Sequence, residues 1–393
     1  MAISQYTHMT TAGAGAKNGI DWDNALDLAA RVATPPIAGE VCFIKEGSYT
    51  LLANLYFSTA GTSVNPVALI GVKAATTNVG AAITDSDWST DTDRPSFDCG
   101  SYTFRTANFY TINNIITTSD ANNYFICGGI CQYHNVKIIG DYAASIGTSI
   151  VNASLPYCIF DKCYFLSPKS RLVGSAAGNR FINCLFDAGD ATNGIGIAQA
   201  TTNSLVVLEC TFKACSIAIQ TTSSIYSEVC KNTFYNCGIG IESTTGYGWL
   251  IKNNLFYGST TADMSWGTQE DSNFIWGNHG VIAGWANIDK TTVYQDYEVT
   301  AGDPLFANAA GGDFSLLGGS PCLGTARDMM LGVGTPVISG NRGASQGFPE
   351  ALRNTDPGEA NVKNAETYKI LNVDKTGSYT VAVQAFIPPM VRL

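Results

Sequence analysis

Apolar residues in the middle of this chain recur on two scales. Locally they alternate with other residues, as in Ile195/Ile197, Ile217/Ile219 and Ile239/Ile241. Alternation with period two signals a strand, and β-branched residues suit a pleated surface. On the longer scale, the phrases FDKCYF, FINCLF, VLECTF, VCKNTF and IKNNLF end in Phe165, Phe186, Phe212, Phe234 and Phe256. Two weaker copies, INNII and HNVKI, end in Ile116 and Ile138. Successive ends lie 22, 27, 21, 26, 22 and 22 residues apart. A period of roughly 20–50 residues indicates a solenoid.

Each strong copy has an apolar residue five places before its Phe: Phe160, Phe181, Val207, Val229 and Ile251. Two places before the Phe stands Cys163, Cys184, Cys210, Asn232 or Asn254, and Asn114 holds that place in the first weak copy. No copy carries a helix-length apolar stripe. Three short strands with turns fit such a repeat, and one coil cannot bury its own apolar face. Stacking coils about 4.8 Å apart pairs their backbones and builds a continuous core. The pattern therefore predicts an all-β, right-handed parallel β-helix over residues 38–330.

The chain resembles the pectin-lyase-like β-helix superfamily over about residues 38–325. The resemblance rests on the repeat, on GIDWDNALDLAARV followed by GEVCFIKEGSYTL, and on AGDPLFAN with GGDFSLLGGSPCLGTA near the other end. It implies an N-terminal amphipathic helix capping the first coil, within an arm at residues 1–37. Trp22, Ala25, Leu26, Ala29 and Ala33 would share a helical face, with Asp21 as N-cap and Pro35 and Pro36 as the stop. The fold hosts lyases, hydrolases, adhesins and viral fibres, so activity must be argued from a site.

Composition narrows the field. Of 393 residues only 14% are charged, and 40 are Gly. That profile suits buried parallel sheets and turns with left-handed backbone angles. A net charge of −10 argues against nucleic acid as the main partner. No run of 18 apolar residues occurs, so no membrane helix is expected. The first residues lack the basic start and apolar core of a secretory signal. Synthesis in a reducing cytoplasm is the expectation. The twelve cysteines support it, because Cys163, Cys184 and Cys210 take equivalent positions, as do Cys215 and Cys237. Such thiols would stack inside as small hydrophobes. Inward-pointing asparagines at the turn would hydrogen-bond one coil away.

Candidate chemistry lies where the rhythm breaks. The 26-residue step has DAGDATNG after Phe186, and matching Ile195 to Ile217 puts four extra residues there. Asp187 and Asp190 would then share a protruding loop, as a solvated turn or as a carboxylate pair for calcium or acid–base chemistry. In TDSDWSTDTDRPSFD, the residues Asp85, Asp87, Asp91 and Asp93 could surround calcium. The glycine and final Glu of an EF-hand loop are missing, and turn chemistry also enriches Asp. Tyr247, Trp249, Trp266, Trp276 and Trp285 are candidate glycan-stacking rings, or else packing and interface rings.

Enzymes of this fold need acids that converge from neighbouring coils. Asp161, Glu209, Glu228 and Glu242 fall in different columns relative to their Phe residues. Cys127, Cys131 and His134 have metal-like spacing without a fourth ligand. No nucleophile elbow or phosphate-binding motif occurs.

Residues 331–393 break from the repeat. Pro349, Pro357 and Gly358 mark a linker, and TYKIL and YTVAVQAF read as strands around a turn at NVDKTGS. About 30 residues cannot build a private core, so this extension should dock on another part or another protein. The leading expectation is a structural protein of a viral, bacteriophage-type particle: a fibre, spike or head-decoration subunit. It would be a homotrimer attached to other virion proteins through the extension, and able to bind surface glycans. The alternatives are a polysaccharide lyase or glycoside hydrolase, and a non-catalytic glycan-binding adhesin.

Overall fold

A computed structural model describes residues 5–323, apart from 90–92, 120–124, 141–148, 154–156, 168–170, 176–177, 200–203, 223, 226, 245, 248, 267–273, 277–278, 281–293 and 297–302. Beyond these it describes Asn372–Val373 and Tyr379–Thr380. For some strand positions, among them 190–193, 246–247, 266 and 274–276, only the backbone is described.

The chain is an all-β, right-handed parallel β-helix. One sheet has twelve strands, beginning with Gln5–Met9, Glu40–Lys45, Val67–Val72 and Tyr110–Asn113. It continues through Gln132–His134, Ile159–Asp161, Arg180–Ile182, Val206–Leu208, Glu228–Cys230, Leu250–Lys252 and Phe274–Trp276 to Tyr294–Asp296. Each strand is paired in parallel with the coil before it. The second sheet folds around the remaining sides of each coil, and Leu185–Gln199 and Thr211–Thr221 cross both sides as single strands.

The repeat is built on stacked rings. Phe165, Phe186, Phe212, Phe234 and Phe256 stack at centroid spacings of 4.8, 4.6, 5.1 and 4.5 Å. Tyr133, Phe160 and Phe181 form a second column at 4.8 and 4.9 Å. These spacings match the inter-strand distance of about 4.8 Å, so the backbone ladder and the ring stack reinforce each other. Ile138, of the second weak copy, pairs with Phe165 on one side and with Thr117 of the first weak copy on the other. The column therefore passes through Thr117 and not through Ile116.

The corner between the sheets is a single left-handed residue in each coil. Asn114, Asn135, Lys162, Asn183, Glu209, Lys231 and Asn253 all have φ between 52 and 58°. Asn114 belongs to this column, one place before the inward residue. The inward column itself holds Ile115, Val136, Cys163, Cys184, Cys210, Asn232 and Asn254, whose carbonyls and amides link successive coils. Space is tight inside. A Cβ on Gly196 would lie 2.4 Å from the Ala218 carbonyl and 2.9 Å from the Phe212 ring.

At the N-terminal end the expected single helix is divided. Asp21 caps a short 3-10 turn, Trp22–Asn24, and Asp27 caps a separate helix, Leu28–Ala33. Ala25 and Leu26 between them are extended, because they complete the edge of the first sheet: Leu26 N donates to His8 O and Thr10 N to Leu26 O, both at 2.9 Å. Closing that edge prevents end-to-end strand addition. Residues 73–89 leave the solenoid and cover the outer face of the first coils. Ile83 joins Val41, Phe43, Ala68, Ile70 and Val72 in a second small core there.

At the other end, strands Phe306–Asn308 and Asp313–Leu316 form an antiparallel pair. Phe306 and Phe314 meet Tyr235 edge-on at 6.0 and 5.3 Å. In the extension, Asn372–Val373 pairs antiparallel with Tyr379–Thr380, so pairing begins inside the expected turn. Among the described residues no helix is long and apolar enough to cross a membrane.

Candidate functional site

In the three-residue strands from Gln132–His134 to Leu250–Lys252 the central residue points into the core: Tyr133, Phe160, Phe181, Val207, Val229 and Ile251. Alternation sends the flanking residues outward in two columns. One column holds Asn113, His134, Asp161, Ile182, Leu208, Cys230 and Lys252 in successive strands. Two chemically active side chains meet in it. His134 Nδ1 lies 2.7 Å from Asp161 Oδ2. The His134 side chain is 29% exposed and the Asp161 side chain 8%. The other ring nitrogen of His134 has no hydrogen bond to a described residue. A carboxylate on Nδ1 fixes the imidazole tautomer and orientation, and leaves Nε2 as the proton acceptor. Such a pair is suited to proton transfer with a ligand lying on the sheet.

The neighbourhood is tied together by hydrogen bonds. Arg94 donates from Nη1 to Asn135 O at 2.8 Å and from Nη2 to Asn135 Oδ1 at 2.6 Å. Asn135 in turn donates to Asn114 Oδ1 at 2.8 Å. Arg94 is thereby fastened to the residue that follows His134. Beside the pair, Asn113 is 3% exposed, and its Oδ1 is buried without a hydrogen-bond partner.

The other candidates are distributed differently. Asp187 sits in the long strand, accepts from Gly189 N at 3.0 Å and pairs with Lys213 Nζ at 3.0 Å. The extra residues of this coil are absorbed as register shifts on either side of Asp190, whose backbone pairs with Cys215. Bulging within a strand, and not a loop, accommodates them. Asp87 accepts from Thr84 N and Thr84 Oγ1 at 2.9 Å each, and from Asn78 Nδ2 at 2.8 Å. Burial opposes its ionisation, but these hydrogen bonds outweigh that and lower its pKa. Asp91 and the Asp85 side chain lie outside the description, and Asp93 is half-buried. Among the described residues no group of three or more His, Cys, Asp or Glu side chains is placed to hold a metal.

Trp249 corrects the glycan expectation. It is fully buried, in the interior column that contains Leu205 and Ser227, so its ring cannot stack on a sugar. Tyr247, Trp266 and Trp276 have only backbone described, and Trp285 lies outside the description. Cys127 and Cys131 are core residues while His134 faces out, which separates the three metal-like positions.

No protein-family model matches the chain, and no curated protein matches it. Solved structures do. A pectate lyase, Pel9A, is 11% identical with a TM-score of 0.50, over 88% of this chain and 97% of that one. A PL6-family alginate lyase, AlyGC, is 14% identical at 0.48, over 64% of this chain and 37% of that one. A protein of Geobacillus virus E2, ORF18, is 13% identical at 0.26, over 63% of this chain and 50% of that one. At such identities the pectate lyase likeness shows the fold alone: this chain has the right-handed parallel β-helix found in polysaccharide lyases.

Proposed function

We propose that this chain cleaves an acidic polysaccharide by elimination on the outer face of the first sheet. His134 is the proton-transfer group, and Asp161 positions it. The carrying observation is the 2.7 Å contact between His134 Nδ1 and Asp161 Oδ2 on a half-exposed sheet face. The β-helix shared with a pectate lyase supports the reading. In the step, His134 Nε2 takes the proton from the carbon next to a uronate carboxyl. The freed electron pair forms a double bond to the neighbouring ring carbon. The glycosidic C–O bond breaks, the departing oxygen takes a proton from water, and His134 returns its proton to the solvent.

A panel of polyuronates incubated with the protein, with products weighed by mass spectrometry, tests this. Elimination predicts fragments one water lighter than those of hydrolysis. Hydrolytic fragments, or an undegraded panel, would overturn it.

A second reading is a structural subunit of a viral particle. It is favoured by the half-exposed apolar residues Ile159, Ile182, Val206, Leu208 and Leu250 on the same sheet. Contiguous apolar surface marks protein contact more often than sugar contact. Location of the protein in purified particles by immuno-electron microscopy tests that reading, and its absence from particles would remove it.

A further inference from the structure

We infer that Gln132 and Asn113 hold the uronate carboxyl of the substrate beside His134, and that their amide N–H donors stabilise the charge that builds there. This rests on the elimination reading and deepens it.

The outward rows of the first sheet turn polar beside the His134–Asp161 pair. In the row that carries His134, successive strands present Ile70, Asn113, His134, Asp161 and Ile182. In the neighbouring row they present Ala68, Thr111, Gln132 and Ile159. Gln132 and His134 lie on one strand and one face, about 6.6 Å apart along it. Asn113 is in register with His134 on the preceding strand, about 4.8 Å away across the ladder. The two amides therefore flank the imidazole on adjacent sides, while Asp161 holds its Nδ1 from the next coil.

The state of the amides is an independent observation. Gln132 Oε1 and Asn113 Oδ1 are both buried with no hydrogen-bond partner. Their nitrogens make no hydrogen bond to a described residue and are not buried without a partner. A buried amide oxygen without a donor weakens the fold, and an apolar side chain of the same shape would suit stability better. The same rows accept apolar residues at Ile159 and Ile182. What the two amides supply in exchange is N–H donors beside His134.

The chemistry calls for such donors. When His134 Nε2 removes the proton next to the carboxyl, the C–H electron pair spreads onto the carboxyl oxygens. A carboxylate gaining further negative charge is stabilised by donors already aimed at it. The pair then forms the carbon–carbon double bond, the glycosidic C–O bond breaks, and the carboxyl returns to a single charge. The donors matter most in the transition state, so their loss lowers kcat more than it raises KM.

Gln132→Met and Asn113→Leu remove each amide at nearly constant shape. Each should lower kcat on a polyuronate about 100-fold with KM little changed. Gln132→Glu, which sets a carboxylate against the substrate's own, should lose more than Gln132→Met. Unfolding midpoints of Gln132→Met and Asn113→Leu should stay level or rise, because the unpartnered oxygen leaves with the amide. If the wild type forms unsaturated product and either variant keeps the wild-type kcat, this inference falls and the elimination reading stands. A loss of kcat that accompanies a lower midpoint marks a packing role and overturns it equally. A wild type that forms no unsaturated product removes the elimination reading, and this inference with it.

Discussion

Asn254 Oδ1 accepts two hydrogen bonds from Asn232 one coil below, from its backbone N and from its Nδ2, both at 2.9 Å. Asn232 repeats the arrangement, accepting from Cys210 N at 2.8 Å and donating to Val207 O at 3.0 Å. One coil earlier, Cys210 Sγ accepts from Cys184 N at 3.3 Å. Sulfur there takes the place of the amide oxygen, more weakly.

Asn232→Ala should therefore cost about 2–4 kcal/mol, since it strands a buried N–H and a buried carbonyl. Asn232→Cys should lose less, because the neighbouring coils already use Cys at this place. Urea denaturation of both variants measures the difference, and equal losses would contradict the ladder account.

Phe212→Ala should destabilise by about 3–5 kcal/mol. Phe212 is fully buried between Phe186 and Phe234, at 4.6 and 5.1 Å. Thermal unfolding should show a large fall in midpoint. A fall no greater than that of an exposed Phe→Ala change would mean the stack is not structural.

His8 gives the fold a pH dependence. Its Nδ1 contacts Gly19 O at 3.0 Å, and its Nε2 accepts from Gly80 N at 3.0 Å, so only the neutral ring satisfies both. Burial lowers its pKa below the ordinary 6.5. The unfolded chain then binds the proton more readily than the folded one. Stability is full above pH 6.5 and falls as the pH drops below that value. His8→Gln should flatten this slope between neutral and mildly acidic pH in denaturation midpoints.

Asp263 has the opposite sign. Burial raises its carboxyl from 3.8 to about 6, and its Oδ1 has no hydrogen-bond partner. The folded state prefers the protonated acid, so stability is lost as the pH rises from about 4 through 6. Asp263→Asn should stabilise the protein at pH 7 by roughly 2–3 kcal/mol, and an unchanged midpoint would contradict the assignment.

All twelve cysteines are free and buried. Burial pushes Cys99 up to about 12, and Cys163 and Cys184 well above the ordinary thiol range. A thiol reagent should titrate none in the native protein and all twelve after unfolding.

The solenoid was legible because its signal is periodic: Phe165 to Phe256 mark one column directly. Single-residue offsets were not. The weak copy ending in Ile116 stacks through Thr117, since Thr carries too little apolar signal to register as the column member. The divided helix was also hidden, because Leu26 is apolar enough for a helix face yet is used to close the sheet edge. Trp249 stayed open between sugar stacking and packing because ring type alone does not tell inward from outward, and its burial decides for packing. The His134–Asp161 pair could have been found: His134 stands four places before Ile138, and Asp161 four places before Phe165. Equal offsets in adjacent coils mean one column. The partner in that column is a histidine, so the pattern of acids alone does not reveal it.

The most direct measurement is the rate of unsaturated-product formation, followed by near-ultraviolet absorbance, for wild type, His134→Asn and Asp161→Asn. Melting temperatures would be recorded alongside. The account predicts a loss of at least about 100-fold for His134→Asn, a smaller loss for Asp161→Asn, and unchanged melting. Wild-type product formation that survives His134→Asn would contradict it.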